Sequence, residues 1–266
     1  MSLVTLGPEG TFSHEVAECV TNGPVTLVPT IREVFREVAE NGRRGLVPLE
    51  NSEAGGVGPT LDGLMAYRVF ITAEIFMPVH HFLVSPRDTG NIRTLFVHPQ
   101  THEQCSEVIE GLGAEVIHTS SNAASAHATL QCADSGAIVS RRAAELYGLV
   151  IRQPNVENNP DNVTRFVCID AVPAEKKHPL KCSILVDPES DRAGLLHELL
   201  GVFSRRGINL TRIESRPSKR GMGRYVFFID LTYSPACVDA IEELKALTTV
   251  KNLGCYGRKE VPGWTC

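Results

Sequence analysis

The 266-residue sequence predicts an α/β protein in two domains, a mainly parallel, helix-covered part to about residue 170 and a smaller βαββαβ part after it. Three observations carry this. The chain exceeds the usual single-domain size, and 42% hydrophobic residues suffice for more than one core. Short β-branched runs alternate with segments of helical period up to about residue 170. Residues 171–179, "AVPAEKKHP", are charged and aperiodic, which suits a linker.

The elements follow in order. "LVTLG" opens as a strand, a helix runs from about Thr11 to Val20, and "VTLVP" is the next strand. In "TIREVFREVAENG", Thr30 and Glu33 have capping-box spacing while Ile31, Val34, Phe35 and Val38 form one apolar stripe, so the segment is a helix. The alternation continues through "GLVPLE", "TLDGLMAY", "RTLFV", "EQCSEVIEGLG", "AEVIHT", "NAASAHATLQ", "GAIVS", "RRAAELYG" and "LVIRQ". Beyond the linker, "KCSILVD" is a strand, "AGLLHELLGVFSRRG" a helix closed by Gly207, "INLTRIES" and "RYVFFIDL" strands, "ACVDAIEELKAL" a helix and "VKNLGCY" a last strand. That order is ferredoxin-like.

A net charge of −5 with interspersed signs gives no footprint for nucleic acid or an anionic membrane, so the expected ligands are small molecules. The sequence has no run long enough to span a bilayer and no signal-peptide start, and it reads as cytoplasmic. Its eight cysteines include no C-x-x-C pair and are expected to be thiols, mostly buried.

Polar clusters collect where strands should end, the place where such folds bind ligands. "GPEGTFS" (7–13) puts glycines and hydroxyls at a helix start, where free N–H groups can hold a carboxylate. "PLENSEAGGVGPTLDGL" (48–64) offers Glu50 as a tuned acid and Asn51 and Ser52 as donors to an anion. In "DNVTRF" (161–166), Thr164 and Arg165 point to opposite faces if the segment is a strand, so only one of them reaches a given pocket. "FVHPQTHEQC" (96–105) poses a metal question, because a helix through it would align His98, His102 and Cys105; Pro99 blocks a regular helix running on from His98.

Together, "GPEGTFS", "VPLENSEAGGVGPTLDGL" and "NVTRF", followed by "INLTRIESRP", resemble the monofunctional prephenate dehydratases over nearly the whole chain. The chain opens only six residues before Gly7, which fits the form without a preceding chorismate mutase domain. The resemblance implies a bilobal, periplasmic-binding-protein-like catalytic domain at 1–170, with one lobe at 1–76 and 156–170 and the other at 77–155. It further implies a regulatory ACT domain at 180–258 and a tail at 259–266. The implied reaction turns prephenate into phenylpyruvate with loss of carbon dioxide and water, and it needs no cofactor or metal. His98, Gln100, Gln104 and Cys105 then belong to a strand-to-helix junction.

The resemblance places Thr164 at the leaving hydroxyl, with Glu50 a candidate proton source. Thr11, Ser13, Asn51, Ser52 and Asn162 become candidates for binding carboxylates, with Phe12 and Phe166 as apolar walls. Arg165 is left as either an anion ligand or a structural ion. For the ACT domain the resemblance implies a homodimer or homotetramer that binds phenylalanine between subunits through Gly194, Leu195 and Leu196 and through Asn209, Leu210, Thr211, Glu214, Ser215, Arg216 and Pro217. Departures from the family pattern are Val97 in place of a serine, "SSNAA" at 120–124, Leu195 in place of an alanine, and a long polar "VENNPDNVTRF". Two rivals stay open: arogenate dehydratase, and an amino-acid-binding regulator of the same fold without turnover.

Overall fold

The computed structural model describes residues 2–88, 90–174, 178–189, 192–221 and 223–262. The centre of the expected linker and the end of the expected tail lie outside the described residues.

β1 (Leu3–Leu6), α1 (Phe12–Val20), β2 (Val25–Val28), α2 (Ile31–Asn41) and β3 (Arg44–Asn51) follow the predicted alternation. The Thr30 side chain accepts from Glu33 N at 3.2 Å to start α2, and Gly42 ends it in the left-handed conformation. β4 (Gly55–Gly56) folds back on β3, and α3 (Gly58–Ala66) follows. Gly63 lets α3 close on α2, because a Cβ there would stand 2.3 Å from the Phe35 ring.

β5 (Phe70–Pro78) belongs to the first sheet, and after it the chain crosses to β6 (Phe82–Ser85) in a second. Neither is among the predicted strands, since "VFITAEIFMPVHHFLV" is a nearly unbroken apolar run with no readable period. β7 (Thr94–Val97), α4 (Pro99–Gln104), α5 (Ser106–Leu112), β8 (Glu115–His118), α6 (Asn122–Thr129), β9 (Ser135–Val139), α7 (Arg141–Leu146) and β10 (Val150–Pro154) complete the second lobe. Its five strands run in the order β10-β6-β9-β7-β8. β11 (Val163–Asp170) returns to the first sheet between β5 and β3.

The sheets are mixed, which corrects the expectation of mainly parallel ones. β1, β2 and β3 are mutually parallel and so are β7, β8 and β9, but strands that carry the chain between lobes run against them: β11 is antiparallel to β3 and β5, and β6 to β9 and β10.

The C-terminal part is β12 (Lys181–Asp187), α8 (Leu195–Ser204), β13 (Leu210–Pro217), β14 (Tyr225–Thr232), α9 (Ala236–Leu247) and β15 (Thr249–Arg258). β15 pairs with β12, then runs on to pair in parallel with β5 through Gly257 and Arg258, so one sheet runs through both domains in the order β13-β14-β12-β15-β5-β11-β3-β1-β2. Gly254 makes the crossing possible, with φ of +112° and room for no Cβ beside Ile71 O. The cores also merge: Leu185, Phe228 and Leu253 share a cluster with Phe35, Leu64 and Ile71.

Cys182 and Cys255, opposite each other on β12 and β15, are joined as a disulfide, against the expectation of thiols throughout. Strand register, invisible in their 73-residue separation, brings them together. Cys105, Cys168 and Cys237 are buried, as expected, while Cys19 is exposed and Cys266 lies outside the described residues. Among the described residues no helix is long and apolar enough to cross a membrane.

Candidate active site

A cleft of about 750 Å³ lies between the lobes, and the strand alternation of β3 and β11 decides which side chains face it. The register sets Thr164 opposite Asn51 and Arg165 opposite Glu50. Thr164, Asn51 and Phe166 line the cleft together with Thr11, Phe12 and Ser13 from the start of α1.

Asn51 is oriented without ambiguity. Its Oδ1 accepts from the backbone N–H groups of Glu53 (3.1 Å) and Ala54 (3.0 Å), so its Nδ2 must be the group that faces Thr164 Oγ1 at 3.0 Å and Asn162 Oδ1 at 2.6 Å. Thr164 therefore accepts from Asn51, and its own hydroxyl proton is left to point into the cleft. Ser52 and Asn162, expected to touch substrate, stand behind this pair: Ser52 Oγ accepts from Val163 N at 3.0 Å, and Asn162 is fully buried. They hold the strand end that carries Thr164.

Glu50 and Arg165 occupy the opposite face and do not line the cleft, a placement that favours the structural-ion alternative for Arg165 and does not support the proton-source reading of Glu50. Glu50 meets Arg165 Nη1 and Arg212 Nε, each at 2.7 Å. Arg165 also reaches Asp230 Oδ2 at 2.6 Å and donates to Tyr256 Oη at 2.8 Å; its Nε lies 2.8 Å from Glu74 Oε2, out of line for a hydrogen bond, so that contact is ionic. Burial alone would lower the guanidinium pKa, but Asp230 and Glu74 more than offset it and the pKa rises. Glu50→Gln is expected to leave turnover within about threefold of wild type, measured by steady-state kinetics. A hundredfold fall would restore the proton-source role.

Among the described residues lining the cleft there is no Lys, Arg, Asp or Glu. Its polarity comes from amides, hydroxyls, histidines and helix starts. α1 is capped by Thr11, which accepts from His14 N, leaving the N–H groups of Phe12 and Ser13 without intrahelical partners. Across the cleft, Ser121 caps α6 by accepting from Ala124 N, leaving those of Asn122 and Ala123. The lobes touch at one edge, where Ser140 Oγ donates to Gly10 O at 3.0 Å and Arg142 grips Glu18 through two 2.9 Å bonds.

"FVHPQTHEQC" resolves into a junction. His98 caps α4, accepting from Gln100 N; His102 turns to His118, 3.0 Å away; and Cys105 is buried, its thiol pushed up to about 12 by desolvation. The polar "VENNP" run also has a structural account. Glu157 accepts from His81 N at 2.8 Å and meets His80 Nδ1 at 2.7 Å, and Asn158 N donates to Gln104 O at 2.7 Å, which fastens the crossover between lobes. The sequence reading missed His81, Tyr147 and His127 among the cleft-lining residues. Neither the adjacent His80 and His81 nor single aromatic side chains on a helix or at its end form a motif that marks them.

In the C-terminal domain, Gly194, Leu195 and Leu196 line a second cavity of about 340 Å³ with Arg192, Arg224 and Tyr225. Gly194 takes φ of +80° at the start of α8, a conformation that favours glycine. The β13 residues expected beside them do not reach this cavity within one chain. Thr211, Ser215 and Pro217 are exposed, as is Asn209 before them; Leu210 packs on the domain core; Glu214 contacts Arg212, and Arg216 Nη2 reaches Asp62 at 3.1 Å.

Comparison with known proteins places these two parts. Residues 3–174 match the family model described as prephenate dehydratase and residues 184–248 that of the ACT domain. The chain is 35% identical to a prephenate dehydratase of Methanocaldococcus jannaschii, over 92% of this chain and 94% of that one. It is 33% identical to arogenate dehydratase/prephenate dehydratase 1 of Arabidopsis thaliana, over 80% of this chain and 60% of that one. Its fold matches a crystal structure of a prephenate dehydratase in complex with L-Phe from Arthrobacter aurescens, with a TM-score of 0.87 and 28% identity over 100% of this chain and 93% of that one.

Proposed function

Because the chain belongs to the prephenate dehydratase family and carries an ACT domain, we propose that its interlobe cleft converts prephenate to phenylpyruvate, with loss of carbon dioxide and water. One observation carries the chemistry: Asn51 donates to Thr164, which frees the threonine proton for the departing ring hydroxyl. The electron pair of the ring–carboxylate bond enters the ring as carbon dioxide leaves, and the ring's pair to oxygen leaves with the hydroxyl, which takes a proton from solvent to become water. Thr164 is too weak an acid to ionise; it stabilises charge developing on that oxygen as a positioned donor. The starts of α1 and α6 suit the two substrate carboxylates, held by N–H groups and hydroxyls rather than by fixed cations. A carboxylate beside Phe12 and Phe166 is poorly solvated, which favours its departure as a neutral gas.

Arogenate shares the reacting ring and differs only in its side chain, and one similar protein is named for both substrates. Parallel assays with prephenate and arogenate test the reading. Prephenate turnover is expected, and turnover of neither compound would leave a binding protein.

We assign catalysis to residues 1–170, with lobe 2 at 77–155, and regulation to residues 180–258, in a cytoplasmic homodimer or homotetramer. Phenylalanine is proposed as the effector, held beside Gly194, Leu195 and Leu196, with the exposed β13 residues supplied across a subunit interface. An effector that binds the less active arrangement better must weaken substrate binding by the same factor with which substrate weakens its own. Calorimetry is expected to detect phenylalanine binding below millimolar concentration. No heat at that concentration, with prephenate turnover intact, would show that this ACT domain answers to something else.

A further inference from the structure

His81 sits on the floor of the cleft where the chain crosses from β5 to β6, and one nitrogen of its ring is spent on nothing the fold requires. The residue is 1% exposed. Its backbone is fixed at both ends, the N–H donating to Glu157 at 2.8 Å and the carbonyl accepting from Val156 N at 3.0 Å. The ring packs edge-on against Phe12, centroids 5.6 Å apart, and burial lowers its pKa more than Gln104 and Glu157 raise it, so it is neutral near pH 7.

The two ring nitrogens differ. Nε2 lies 3.1 Å from Gln104 Oε1, an acceptor, so Nε2 carries the proton and Nδ1 the lone pair. Nδ1 is buried and has no partner among the described residues. A histidine kept for packing would have both nitrogens satisfied, and an apolar residue would fill the space without the desolvation cost. The free nitrogen is an acceptor waiting for a donor.

We infer that His81 is a substrate-binding residue whose Nδ1 accepts the proton of the prephenate ring hydroxyl. This rests on the prephenate dehydratase reading, and the chemistry of that substrate makes the choice: with both carboxylates ionised, the ring hydroxyl is its single hydrogen-bond donor. Val79 N donates to Asn162 O at 2.8 Å, so the segment bearing His81 starts alongside the strand end bearing Thr164. The result is a chain of bonds with one sense, from Asn51 Nδ2 to Thr164, from Thr164 to the substrate oxygen, from that hydroxyl to His81, and from His81 Nε2 to Gln104. Its direction is fixed at one end by the backbone N–H groups on Asn51, and at the other it runs to the Gln104 side-chain oxygen. With its proton drawn to His81, the hydroxyl turns its lone pairs to Thr164.

Two substitutions separate this role from a structural one. An asparagine amide reaches the place of Nδ1, and a glutamine amide that of Nε2. His81→Asn is expected to keep KM for prephenate within about threefold of wild type, whereas His81→Gln and His81→Leu raise it about tenfold with a smaller change in kcat. A glutamine variant near wild type beside an impaired asparagine variant would overturn the inference, as would a leucine variant with unchanged KM. Should the variants fold poorly, histidine ¹⁵N NMR decides it in the slow Thr164→Val protein, whose ring is intact. Prephenate should move the His81 Nδ1 resonance toward that of a hydrogen-bonded acceptor; phenylpyruvate, which lacks the ring hydroxyl, should not. Equal movement with both, or none with prephenate, would refute the contact. Wild-type turnover of prephenate is the separate check on the reading beneath it: its absence would sink the function, whereas normal turnover with indifferent variants would sink only His81.

Discussion

Thr164→Val is expected to lower prephenate turnover by about 10² or more while substrate affinity changes far less. Valine keeps the volume and removes the donor, and the lost bond is one made most strongly as the ring oxygen takes on charge. Thr164→Ser should be much milder. The more searching variant is Asn51→Asp, in which Thr164 itself is untouched. The new carboxylate still accepts from Glu53 N and Ala54 N, but it now accepts from Thr164 as well and draws the hydroxyl proton away from the cleft. It should therefore cost about as much as Thr164→Val. Serine and valine variants with equal losses would assign the threonine a packing role, and an active Asn51→Asp enzyme would break the link between the two residues.

Arg165→Met should destabilise the protein by about 3–5 kcal/mol, read as a fall in denaturant midpoint at unchanged slope. The side chain is 3% exposed, and its removal leaves Asp230 and Glu74, both nearly buried, short of a counter-charge. Partial relief exists, since Lys181 still reaches Glu74 at 2.9 Å and Ser183 still donates to Asp230. Adding Asp230→Asn to Arg165→Met should recover part of the loss, because it removes one stranded charge. A single variant within about 1 kcal/mol of wild type would mean that the carboxylates take up protons or water at little cost.

Much of this architecture was legible from local signals. α2 could be drawn from Thr30, Glu33 and the stripe through Val38, and β-alternation alone dictated that Thr164 and Arg165 serve different faces. What the sequence could not display depends on partners distant along the chain. Glu50 reads as a free acid in a polar loop until β11 brings Arg165 opposite it and β13 brings Arg212. β5 and β6 escaped notice because strands buried within a sheet lose the polar beat that marks a half-exposed one. The β13 set is half-visible for the same reason: every second residue serves the catalytic domain through Arg212, Glu214 and Arg216, and the others face outward.

Strand β11 holds Thr164 on one side and, one residue later, the arginine that ties it to Asp230 and Tyr256 of the regulatory sheet. The regulatory sheet and the reactive donor thus meet at neighbouring residues of a single ribbon, which gives a shift of that sheet a short route to Thr164. A misplacement of about 1 Å can lower a reaction rate by about 10²-fold. A slide of the regulatory sheet shorter than a carbon–carbon bond, passed through Arg165, would displace the donor and weaken its hold on substrate and transition state alike.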